Sequence, residues 1–78
     1  GNIFSHWRDA LTRAFVSDGF DEPDAASLAI MCIASLEGAV VLCRSTHTVE
    51  PLREVAQQVE FLIKSREFVR RYGLPDHR

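Results

Sequence analysis

The chain has 78 residues, 46% of them hydrophobic and 26% charged, with a formal net charge of −2. A chain of this size makes one domain and buries only about 60% of the surface its unfolded form exposes, so its core is small for so apolar a composition. The near-neutral charge gives no whole-chain case for nucleic acid or an anionic membrane, and the two cysteines fit reduced thiols rather than a disulfide framework.

Charge is unevenly spread. Residues 1–60 hold four arginines against nine acids, whereas 61–78 hold Lys64, Arg66, Arg70, Arg71 and Arg78 against Glu67 and Asp76. The basic residues of this end are mixed with acids at helical spacing, the pattern of a solvated helix face.

The first predicted element is a helix over about 6–18. Ser5 stands where a cap would, and Trp7, Ala10, Leu11, Ala14 and Phe15 recur at three- and four-residue steps. Gly19 supplies a left-handed stop, and Phe20 is placed to fold back on Phe15, the contact that accompanies a Schellman end.

The second helix is predicted over about 22–44, capped by Asp21, with Pro23 in its first turn and Asp24 facing the positive end of the helix dipole. Its heart is Ala25 to Cys43, where only Ser27, Ser35 and Glu37 carry polar side chains. A bilayer or a core built by several helices can bury such a run. The soluble core is the better fit: the length is marginal for a span, Glu37 is costly in lipid, and acids crowd the start where anchors would be expected. Ala29, Cys32, Ile33, Leu36, Val40 and Cys43 form a bulky stripe. Ser27, Ala34, Gly38 and Ser35 form a shallow one, flanked by Met31 and Val41. A central helix clamped from both sides is expected, with Gly38, which costs about 1 kcal/mol relative to Ala, at a close crossing.

After the connector Ser45–Thr48, a third helix is predicted over about 49–72, capped by Thr48 and ended by Gly73 and Pro75. It carries a main stripe of Leu52, Val55, Ala56, Val59, Leu62, Ile63 and Val69, and a second of Phe61, Phe68 and Tyr72. The expected fold is therefore all-α, three antiparallel helices. One stripe suffices for a hairpin with the second helix, so the leftover apolar faces call for a partner, and a homodimer is expected. Candidate dimer contacts are Ala34, Gly38, Val41, Val55, Val59, Phe61, Leu62 and Phe68.

Chemistry is sparse. His6, His47 and His77 lie without metal-ligand spacing, and no phosphate loop or nucleophile elbow is present. Glu37 is a carboxylate inside an apolar helix, but no second acid, base or nucleophile accompanies it, so a structural polar pair with Arg44 is the expected role. No enzyme activity, metal or cofactor is expected. Trp7, Leu11 and Met31 are candidates to line a small-molecule pocket, against a default of core packing.

The succession DGF, then DEPDAASLAIMCIASLEGAVVLCRS, then a short Ser/Thr linker, then TVEPLREVAQQVEFLI resembles the C-terminal end of TetR-family transcriptional repressors. The likeness runs over about residues 5 to 64 and is greatest to the subgroup whose penultimate helix carries Glu-Gly-Ala and an Arg, here Glu37, Gly38, Ala39 and Arg44. It implies a domain that binds a small apolar or aromatic effector and dimerises through its last two helices as a four-helix bundle. It further implies that residues 1–78 are a C-terminal regulatory piece of a cytoplasmic protein, touching DNA only through a helix-turn-helix domain not present in the chain. The alternative is a stand-alone helical interaction module that holds a partner helix on its apolar stripe.

Overall fold

The computed structural model describes residues 3–73, which form three helices, α1 (Ile3–Ser17), α2 (Glu22–Thr46) and α3 (Glu50–Tyr72). No strand occurs among the described residues, and the fold is all-α. The expected end at Pro75 lies outside them.

The first helix starts earlier than its capping signal. Ser5 sits within α1 rather than ahead of it. Phe4 is half-buried, and Phe4, Trp7 and Leu11 continue the apolar spacing backwards, so packing extends the helix past a residue that local preference would have made its boundary. The other end closes as expected. The Phe20 N–H donates to the Phe15 carbonyl at 3.1 Å and the Gly19 N–H to the Val16 carbonyl at 2.9 Å, the paired bonds of a Schellman motif. Gly19 has φ +111°, a conformation a Cβ would oppose. The Phe20 ring meets Phe15 edge-on, centroids 5.8 Å apart.

Asp21 occupies the N-cap of α2 in extended conformation, but its side chain makes no capping bond; its backbone carbonyl takes the Ala25 N–H at 2.8 Å. The far end runs to Thr46, two residues beyond the predicted Arg44, because the Thr46 hydroxyl bonds back to the Leu42 carbonyl at 2.8 Å and the chain turns only at His47, φ 59°. The N-cap of α3 is Val49 rather than Thr48. Thr48 still serves the helix start, its Oγ1 accepting the Glu50 N–H at 3.3 Å. Gly73 follows Tyr72 with φ +81° and its N–H on the Val69 carbonyl at 2.7 Å.

α2 is the middle element: α1 and α3 each pack on it, and not on each other. The core joins Phe15, Phe20, Ala25, Leu28, Ala29 and Cys32, with Leu11, Met31, Val59 and Ile63 against it. All of its α2 members lie in the first half of that helix. Beyond Ile33 only Ala39 is buried, while Leu36, Val40, Val41 and Leu42 are exposed. The bulky stripe is thus core at Ala29, Cys32 and Ile33 and open at Leu36 and Val40. Length alone does not set the split, since α3 has 23 residues against 25 in α2; beside the second half the flanking helices leave grooves rather than a packed layer. By length and composition α2 would suffice to cross a membrane, a test that soluble core helices also pass; its first half is covered by α1 and α3.

One side chain ties α3 to the corner between α1 and α2. Arg70 lies 5.5 Å over the Phe20 ring and donates to the Asp18 carbonyl at 3.3 Å. Nearby, Arg66 pairs with Asp24 at 3.3 Å. The pairs Lys64–Glu60 and Arg71–Glu67, at 3.1 and 3.5 Å, follow the expected i, i+4 order, worth a few tenths of a kcal/mol each at exposed positions.

Candidate functional site

The uncovered half of α2 borders two grooves. The first, of about 850 Å³, lies between α1 and α2 and is lined by Trp7, Ala10, Leu11, Ile33, Leu36, Glu37, Val40, Val41 and Arg44. It exists because α1 presents Trp7 and Leu11 on one face at i, i+4 spacing, and because α2 brings Ile33, Leu36, Glu37 and Val40 around to meet them at its own three- and four-residue steps. Trp7 is 54% exposed, so it forms a wall of the groove rather than part of a closed core.

The second groove, of about 720 Å³, lies between α2 and α3 and includes Met31, Ser35, Gly38, Val41, Leu42, Val55, Val59 and Leu62. Met31 therefore belongs here and does not join Trp7 and Leu11. It packs against the core, and its sulfur accepts from the Ser35 hydroxyl at 3.6 Å. Gly38 opens onto this groove, and a Cβ added to it would meet nothing within 4 Å. Within one chain, then, Gly38 is at no helix crossing.

Of the other expected contacts, Ala34 is exposed and lines neither groove, as is true of Phe61 and Phe68. Phe68 and Tyr72 instead make an exposed aromatic pair on α3, centroids 4.8 Å apart. Glu37 and Arg44 share the first groove but form no ion pair among the described residues. Seven positions on one helix separate them by about 10.5 Å of rise, a span that only two nearly extended side chains would close, and the two remain apart.

Ala10, Ile33, Leu36 and Val40 were not singled out as groove residues. Their signal is present as helical stripes, but a stripe alone does not say whether a neighbouring helix lies close enough to cover it. The sequence places Arg70 on a solvated face, and nothing local marks its reach to Phe20.

Chemically the first groove offers an aromatic wall, an aliphatic floor, one carboxylate and one guanidinium. That is equipment for holding a molecule. No group of three or more His, Cys, Asp or Glu side chains able to hold a metal occurs among the described residues. Cys32 is buried and Cys43 half-buried, both free, and burial pushes the Cys32 thiol pKa up.

Comparison with known proteins gives this arrangement a context. Residues 1–58 match the family described as transcriptional regulator LmrA/YxaF-like, C-terminal domain, of TetR type. Two relatives, both uncharacterized HTH-type transcriptional regulators of Mycobacterium tuberculosis, from strains CDC 1551 / Oshkosh and ATCC 25618 / H37Rv, are each 33% identical over 61 residues. Those residues are 78% of this chain and 31% of each relative, so the chain spans about a third of the length of the curated proteins it matches. No solved structure matches the chain significantly. The family is one of regulators rather than of enzymes, and the chain belongs to it: a TetR-type C-terminal domain of the LmrA/YxaF-like transcriptional regulators.

Proposed function

We propose that this chain is the effector-binding and dimerisation part of a TetR-type transcriptional repressor of the cytoplasm, in the subgroup marked by Glu37-Gly38-Ala39. The observation that carries the reading is the bare second half of α2, bordered by one groove toward α1 and another toward α3. The groove with Trp7 and Leu11 takes a small apolar or aromatic effector. The surface of α2 and α3 around Gly38, Val41, Val55, Val59 and Leu62, with Phe61 and Phe68 beside it, takes a second copy of the chain, burying apolar area worth about 25 cal/mol per Å². Operator binding belongs to parts of such regulators that this chain does not span. Effector and operator are then coupled through the subunit arrangement, for which about 1–3 kcal/mol is typical.

Sedimentation equilibrium tests the assembly half. The parent chain is expected to be a dimer, Leu62→Asp a helical monomer, and Gly38→Leu weakened in association although its side chain has free space within one chain. A parent that stays monomeric up to high concentration, or an Asp variant that stays dimeric, would remove this face from the reading.

A further inference from the structure

We propose that the groove between α1 and α2 takes a lipophilic organic cation, a molecule with an apolar body and one positively charged nitrogen or phosphorus centre. The proposal rests on the reading of that groove as the effector site and names the chemistry of its occupant.

The carboxylate is the first reason. Glu37 stands amid the apolar lining of α2, with Ile33 one turn before it and Val40 and Val41 one turn after, all in the same groove. It has no hydrogen-bond or ion-pair partner among the described residues. A ligand that fills the groove strips water from this carboxylate. An unpaired charge taken out of water is costly, whereas a cation brought to it restores the lost solvation by direct attraction.

Trp7 is the second, independent reason. It faces the same groove from α1 and is more than half exposed, and indole is the aromatic ring that attracts cations best through its face. An aromatic wall, an aliphatic floor and a single carboxylate together complement an apolar body carrying positive charge. A neutral ligand uses the walls but strands Glu37, and an anion is repelled by it.

Arg44 is the opposing charge in the groove, and its position limits the opposition. It lies in the last turn of α2, where the partial negative charge of the helix end already favours a cation. Two turns from Glu37, about 10.5 Å along the axis, it makes no ion pair with that carboxylate among the described residues. A cation seated against Glu37 feels that carboxylate more strongly than the more distant guanidinium.

Trp7 is the sole tryptophan of the chain, so its fluorescence reports occupancy directly. The chain is titrated with three probes of similar shape: tetraphenylphosphonium, tetraphenylborate and neutral triphenylphosphine oxide. The phosphonium is expected to bind tightest. Glu37→Gln should cut its preference over the neutral probe about tenfold, the order expected on losing one unit charge several ångströms from the bound cation at a partly exposed site, and Arg44→Gln should move the preference the other way. Glu37→Ala, checked for unchanged helical content, should repeat the Gln result. Tighter binding of the borate, or a phosphonium preference that survives both Glu37 substitutions, overturns the cation assignment while leaving the groove a ligand site. If none of the three probes perturbs Trp7 fluorescence, the groove holds no small molecule, and the effector reading falls with it.

Discussion

Phe20→Leu and Arg70→Met, made singly and together, measure how firmly α3 is held to the corner between α1 and α2. Phe20 is 6% exposed, touches Phe15 edge-on and lies under the Arg70 guanidinium. Leucine keeps the site apolar and nearly filled but removes the ring. The aromatic pair is worth about 0.5–1.5 kcal/mol, and a cation–π contact with a partly exposed arginine about 0.5–1 kcal/mol. Phe20→Leu should therefore cost roughly 1–2.5 kcal/mol, within the roughly 4–12 kcal/mol total expected for a domain of this length, so the variant folds. Arg70→Met keeps an apolar stem over the ring and loses the cation and its bond to the Asp18 carbonyl. Urea unfolding followed by circular dichroism, at one fixed chain concentration because association contributes to stability, gives the four free energies. The cycle should show coupling of about 0.5–1 kcal/mol. Additive losses, with coupling inside about 0.2 kcal/mol, would mean that Arg70 merely lies near the ring and that the ring contact does not help to hold α3.

Two further outcomes follow from the same packing. Gly19→Ala should destabilise by about 1–2 kcal/mol, because φ +111° opposes a side chain and the new Cβ would stand 2.9 Å from the Arg70 guanidinium; a stability unchanged in urea would contradict the strained corner. Thiol labelling by a disulfide reagent should modify Cys43 quickly and Cys32 only as fast as the chain opens, burial having raised the Cys32 pKa. The raised folded-state pKa favours the protonated thiol, so the contribution of Cys32 to stability is full below its unfolded pKa of about 8.5 and is lost as pH rises through the higher folded value. Cys32→Ala should flatten the alkaline limb of a stability-versus-pH curve, and equal slopes in parent and variant would refute the assignment.

Local chemistry in the chain determined much of this protein. The Gly19-Phe20 stop, the two helix starts marked by Pro23 and Pro51, the end at Gly73 and the helical periodicities needed only neighbouring residues, because caps, turns and backbone bonds act over four or five positions. The likeness to TetR-type regulators was also legible, carried by the succession of segments over about residues 5 to 64. What the tertiary structure decided was coverage. The stripe from Ala29 to Val40 is uniform in composition, yet its first half is core and its second half a groove wall, which depends on how closely α1 and α3 approach α2 along its length. Met31 and Trp7, both plausible lining for one pocket, fall on opposite sides of α2, which depends on where α1 and α3 dock around it. Glu37 and Arg44, on one side of one helix, stay apart because closing two turns of rise would need both long side chains held nearly extended, and nothing there holds them so. Arg70, one of several basic residues at exposed spacing, became the link to Phe20 only when α3 had packed and brought together residues fifty positions apart in the chain.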